Sequence, residues 1–108
     1  MKEIAIIGGG VAGLTAAVYA LRAGAKVTLY EQYGLGGLTA TIDKIENYPS
    51  YKSVSGWQLS QDMANQAKAL GLVVVRQKVT SLTSDGNAFV VTTDKSTSSF
   101  PAVVVAVG

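Results

Sequence analysis

The sequence predicts an α/β fold in three layers, with a parallel sheet and a small antiparallel β-meander. Three observations carry that prediction. A glycine cluster from Gly8 to Gly13 separates a short apolar run from a stretch with helical periodicity. Further apolar runs of strand length recur at Lys26 to Tyr30, Leu72 to Arg76 and Ala102 to Val107. Between the last two lie shorter alternating segments, broken by Ser84-Asp85-Gly86-Asn87.

Each element follows from its own residues. Ile4 to Ile7 has the isoleucine-rich look of a parallel strand buried on both faces. Over Ala12 to Ala23, Leu14, Ala17, Val18 and Leu21 fall at helical spacing, and Gly24 stands at C′, where a positive φ is tolerated. Lys26 to Tyr30 is a second buried strand. Together these form one βαβ unit, whose crossover is expected to be right-handed. Glu31 to Val54 is a long connection carrying Gly34, Gly36, Gly37 and Pro49, and such a length without regular structure marks a binding loop. Ser55 suits the N-cap of a second helix. Leu59, Met63, Ala67 and Leu70 share one face of it, and Gly71 closes it. Leu72 to Arg76 reads as a third parallel strand. Val79 to Thr83 and Phe89 to Thr93 flank the turn, and with the polar stretch Asp94 to Ser99 they suggest the meander. Ala102 to Val107 is one more apolar strand.

Composition narrows the function. The chain has 108 residues, 48% hydrophobic and 15% charged, enough for one domain with a core and unlike a disordered chain. A net charge of +2 without a run of like charges gives no reason to expect nucleic acid or membrane as partner. Cysteine and histidine are absent. Disulfides, Cys/His zinc sites, cysteine nucleophiles and a Ser-His-Asp triad are thereby excluded. No catalytic or metal-binding residue is predicted, so chemistry falls to a bound cofactor. The uncharged stretch between Glu3 and Arg22, followed by Ala23-Gly24-Ala25, has the outline of a signal peptide. Its glycines are poor helix material, and a cytoplasmic, soluble protein is expected.

Gly8-Gly9-Gly10-Val11-Ala12-Gly13 contains G-x-G-x-x-G between strand and helix, as the dinucleotide fingerprint requires. Gly8 permits the tight turn, Gly10 lets a pyrophosphate approach the backbone, and Gly13 lets the helix pack on the strands. The helix start then turns its amides and the positive end of its dipole toward the phosphates. Glu31 follows the second strand at the spacing where an acid accepts from ribose hydroxyls. An acid there repels a 2′-phosphate, which favours FAD or NAD over NADP. The fingerprint alone does not separate FAD from NAD.

The flanking motifs bear on that choice. Ile6-Ile7-Gly8-Gly9-Gly10-Val11-Ala12-Gly13-Leu14, Gly36-Gly37-Leu38, Glu46-Asn47-Tyr48-Pro49 and Val103-Val104-Val105-Ala106-Val107-Gly108 occur in order along the whole chain. In this the sequence resembles the FAD-binding region of the thioredoxin reductase-like flavoproteins, within the pyridine nucleotide-disulfide oxidoreductases. The resemblance implies a Rossmann-like three-layer FAD-binding unit. It implies cofactor contacts from Gly8, Gly10, Val11, Ala12 and Gly13, from Glu31 with Gln32 beside it, and from Gly36, Gly37 and Leu38 around the flavin. Asn47 is implied near the flavin ring, the Val79 backbone at the adenine edge, and Ala106 to Gly108 closing over the cofactor. Leu38, Val11 and Val107 depart from the glutamine, proline and threonine usual at those positions.

The family normally continues into an NAD(P)H domain and a return segment. Residues 1–108 are therefore expected to be a partial FAD-binding domain, with NAD(P)H used only in the intact enzyme. That enzyme would pass electrons from NAD(P)H through flavin to a disulfide or another acceptor. The apolar last strand leaves an open sheet edge that a truncated segment or a partner, such as a homo-oligomer, would complete. Two other readings stay open here: an isolated or engineered nucleotide-binding fragment without activity, and a small NAD-binding Rossmann module. Trp57 is read as packing or a dimer contact. Arg76 and Lys78 flank the third strand's end, where they could attract phosphate.

Overall fold

A computed structural model describes residues 2–108. The elements run β1 (Glu3–Ile7), α1 (Val11–Arg22), β2 (Lys26–Tyr30), α2 (Gly56–Ala69), β3 (Val73–Val75), β4 (Val79–Ser84), β5 (Phe89–Thr93), β6 (Thr97–Phe100) and β7 (Ala102–Val105). A four-stranded parallel sheet has the order β3-β2-β1-β7, and β4-β5-β6 form a three-stranded antiparallel sheet.

Strand alternation builds the layers. Ile6 stands in register with Leu29 and with Val104. Ile6, Val27 and Leu29 enter one core with Leu14 and Ala17 of α1 and with Ala64 and Ala67 of α2. On the opposite face, Ala5 and Tyr30 join Val91 and Phe100 of the antiparallel sheet in a second core. Helices therefore cover one face of the parallel sheet and the meander covers the other, which explains strands apolar on both faces. Tyr30 and Phe100 meet edge to face, with centroids 6.2 Å apart.

The end signals act as expected. Ser55 Oγ accepts from Gln58 N at 3.0 Å as the N-cap of α2. Gly24 and Gly71, just past the two helices, have φ of 92° and 104°. In the β4–β5 turn, Asp85 Oδ1 accepts from Asn87 N and Ala88 N, which holds its carboxyl below the ordinary value.

Four differences from expectation have physical causes. The connection after β2 is not structureless. It holds a 3₁₀ turn at Gly37–Thr41, and Ile45 and Val54 exchange backbone bonds of 2.7 and 3.0 Å. Bonds of such short reach leave no periodic trace in sequence. The third strand keeps only Val73–Val75, because Leu72 N is taken by the Ala67 carbonyl that ends α2 and Gln77 N turns back to Val75 O. The final strand stops at Val105, and residues 106–108 leave the sheet. β6 takes Thr97 to Ser99 from the stretch that reads as polar and adds Phe100, its one large buried side chain. Among the described residues no helix is long and apolar enough to cross a membrane.

Beyond the Ile45–Val54 pair, Tyr51 Oη donates to Asp62 Oδ2 at 2.6 Å and Gln58 Nε2 to Oδ1 at 2.8 Å, tying the connection to α2. The Tyr51 bond, then that from Gln58, lowers the Asp62 pKa. The bond to Asp62 in turn raises the Tyr51 phenol. A depressed carboxyl stabilises the fold above its unfolded pKa, and that contribution fades as pH falls through the folded value. A raised phenol stabilises it below the ordinary 10.0 and loses that contribution as pH rises through the folded value. Tyr51→Phe is expected to flatten the alkaline limb of stability against pH. Asp62→Asn is expected to flatten the acid limb, to which Asp85 also contributes. Urea denaturation across the pH range checks both. At neutral pH, Leu29→Ala, at a side chain with no exposure, is expected to lower stability by about 2–5 kcal/mol.

Candidate functional site

A cavity of about 1500 Å³ opens at the carboxyl ends of the parallel strands, where open α/β sheets place their ligands. The turn after β1 forms its floor. Gly8 N donates to Tyr30 O at 2.9 Å, and Ala106 N donates to Ile7 O at 2.8 Å, so the turn is pinned to both neighbouring strands. Gly8 has φ 111°, and a Cβ there would lie 2.7 Å from the Ala106 carbonyl carbon. Gly13 is a packing position: a Cβ on it would collide with the Gly8 carbonyl oxygen.

Gly10 differs from both. It has φ −76°, and a Cβ there would meet nothing nearer than Gly37 Cα at 3.9 Å. Nothing in the protein itself requires glycine here, whereas a ligand backbone lying on this turn would. No side chain caps α1, so its first amides stay available at the cavity.

Glu31 braces the same turn. Its Oε1 accepts from Gly9 N at 2.8 Å and its Oε2 from Tyr33 N at 2.9 Å. A carboxylate has about four acceptor positions, so room for ribose hydroxyls is left. Gly9, which the motif leaves unspecified, is confined by side chains: a Cβ on it would stand 2.7 Å from Leu35 Cδ2 and 3.1 Å from Glu31 Cβ. Across the cavity, Gly36 N donates to Gly9 O at 2.7 Å, laying the Gly36-Gly37 loop against the glycine turn. Gly36, at φ 109°, packs on Ser60 of α2, whose buried hydroxyl has no partner among the described residues.

Of the residues expected at a cofactor, Gly8, Gly10, Val11, Ala12, Glu31, Gln32, Gly36, Gly37, Leu38, Val79, Ala106 and Gly108 all line this cavity. Gly13 lies buried beneath the turn. Asn47 lies on the exposed part of the long connection and is not on the cavity wall. Trp57, Gln61 and Lys68 of α2 reach the wall, as do Arg76, Gln77 and Lys78 after β3. Sequence reasoning had no signal for Gln61, Lys68 or Gln77. The position of Gln77 just past a strand end, beside two cations, is the only hint it offers. Three cations and Glu31 thus face one trough, a balance suited to an anionic ligand.

A family model described as "FAD dependent oxidoreductase" matches residues 3–95. The chain belongs to that family. Among curated relatives, the thioredoxin reductase of Treponema pallidum is 35% identical over 107 residues, covering 98% of this chain and 35% of that protein. The thioredoxin reductase of Borreliella burgdorferi is 33% identical, over 100% of this chain and 33% of its own. The chain thus spans about a third of the length of these curated relatives. The crystal structure of Lactococcus lactis thioredoxin reductase superposes on the whole chain with a TM-score of 0.95 at 32% identity, over 36% of that structure's length. That of Streptococcus pyogenes does so with a TM-score of 0.96 at 32% identity, over 35%. Both the three-layer architecture and the likeness to the thioredoxin reductase-like flavoproteins hold.

The two glycines separate packing from ligand approach. Gly13→Val is expected to destabilise the fold by at least about 1–3 kcal/mol through overpacking. Gly10→Val is expected to melt nearer to wild type yet lose FAD, because its added methyls enter the trough. Thermal melts and FAD titration of both variants check this. Unchanged FAD affinity in Gly10→Val would make the turn purely structural.

Proposed function

We propose that this chain is the FAD-binding part of a thioredoxin reductase-like oxidoreductase, in which electrons pass from NAD(P)H through the flavin to a disulfide or another acceptor. One observation carries the reading: the glycine turn, Glu31, the Gly36-Gly37 loop and Ala106 to Gly108 line a single trough. Its volume exceeds the roughly 300–1,000 Å³ of ordinary small-ligand pockets, as an extended dinucleotide needs.

The residues present fit FAD. The α1 amides and the open face of Gly10 receive the pyrophosphate. Glu31 accepts from the adenosine ribose while its other bonds keep the turn in shape. Gly36 and Gly37 bring backbone close to the flavin half, with Leu38 offering apolar contact there. Asn47 stands outside this trough and carries no part of this reading. When bound, the flavin supplies the electron-transfer chemistry. The chain's own part is to bind the cofactor, orient it and shield one side of it.

The cytoplasmic location follows the same reading, and a second copy pairing along the β7 edge would complete the open sheet. The test is a titration of the purified chain with FAD, NAD and NADP. FAD is expected to bind tightest and NADP weakest, since Glu31 stands against a 2′-phosphate. Tightest binding to NADP would overturn the role of Glu31, and tightest binding to NAD would point to a nicotinamide site. With no cysteine, the chain by itself is expected to sustain no NADPH-driven turnover of a disulfide substrate.

A further inference from the structure

We propose that Gln77 specifies the base of the bound dinucleotide, its side-chain amide donating to ring nitrogens of adenine at the carboxyl end of β3. The inference rests on the dinucleotide reading above and adds a residue to it. It comes from hydrogen-bond valency. Thr93, a buried residue of β5, accepts at Oγ1 from Lys95 N at 3.0 Å and from Ser96 N at 2.9 Å. Both of its lone pairs are then filled, so its one proton must be donated. Its nearest receiver is Gln77 Oε1 at 2.7 Å, against 3.2 Å to Ser96 Oγ and 3.3 Å to the Ser96 carbonyl. Ser96 Oγ donates to the same oxygen at 3.0 Å.

This fixes which way the amide faces. A flipped Gln77 would set its Nε2 at 2.7 Å from Thr93 Oγ1, whose lone pairs are already filled, so the observed orientation is the one Thr93 accepts. Oε1 is therefore held by two hydroxyls, and Nε2 carries both its hydrogens outward. Nε2 has no partner among the described residues and is not buried, while the residue lines the cavity. The surrounding backbone is held as well: Gln77 N donates to Val75 O at 3.0 Å and Asp94 N to Lys78 O at 3.2 Å. A donor pair on so rigid a mount is preorganised for a ligand.

Position selects the ligand chemistry. Glu31 N donates to Val75 O at 3.1 Å, which sets the ends of β2 and β3 side by side. With pyrophosphate at the glycine turn and ribose at Glu31, the base falls next along the wall, beside Gln77 and Val79. Adenine offers acceptor nitrogens on its edges. A phosphate at the same place would have to lie close to the Glu31 carboxylate.

The experiment follows the side-chain amide of Gln77 by NMR in the 15N-labelled chain, during titration with AMP, FMN and FAD. Two variants accompany it. Gln77→Glu keeps an oxygen for Thr93 and Ser96 but loses the donors, and Gln77→Leu loses the donors without adding charge. The Gln77 amide pair is expected to shift with AMP and FAD and to stay still with FMN. Both variants are expected to bind AMP and FAD about tenfold or more weakly, with FMN affinity unchanged and Gln77→Glu melting like wild type. Undiminished AMP affinity in Gln77→Leu, or AMP binding that leaves the amide pair unmoved, overturns the inference. If AMP moves the pair but FAD does not bind, the flavin reading fails and the base site stands. If none of the three binds, both fail.

Discussion

The site depends on one close approach, that of the first turn of α1 to the carbonyl of Gly8. Without a Cβ at Gly13 the helix settles directly on the turn leaving β1. That seating aims its uncapped amides along the carboxyl edge of the sheet. Moved outward by the width of a methyl group, the same helix would still bury Leu14 and Ala17. Its amides would then no longer converge on Gly10.

Other parts of the chain brace that geometry from outside. Glu31 holds Gly9 from the end of β2, and Gly36 holds the Gly9 carbonyl from the long connection. The long connection is itself tied to α2 through Ser60, the bond from Gly56 N to Ile42 O and the Tyr51–Asp62 bond. The meander does the equivalent work on the far side. It closes the second core over Ala5 and Tyr30, and its β5–β6 turn grips the segment leaving β3 through Thr93 and Ser96. Elements that look like decoration on a βαβ unit therefore set the two ends of the trough.

How much of this was legible in the sequence differs by the reach of the forces involved. Strands covered on both faces are runs rich in Ile, Val and Leu, so β1 and β2 stand out from composition alone, and the apolar run of β7 stands out as well although Val104 and Val105 are exposed. Helix ends were legible because Ser55, Gly24 and Gly71 answer to local backbone chemistry. β6 was not, since Thr-Ser-Ser-Phe becomes a strand only by pairing with β5 and by seating Phe100 against Tyr30. In the site, Gly8, Gly10 and Glu31 were legible because one motif concentrates their roles. Gln77 was not, because its orientation is decided by hydroxyls 16 and 19 residues away.

The same contrast bears on how the trough divides its labour. On the proposed function, recognition at the glycine turn is done by backbone, which reads phosphate and is blind to which base or flavin is attached. Discrimination between dinucleotides must then come from side chains placed at the trough's ends, where the attached groups differ. In the proposed function Glu31 acts on the ribose by charge. Gln77 acts beyond it by a neutral donor, among the cations Arg76, Lys78 and Lys68. A cation alone would hold any anion, and a lone acid would reject most of them. The combination selects a ligand that is anionic at the pyrophosphate, unphosphorylated at the ribose and rich in acceptors beyond it, and FAD has all three properties.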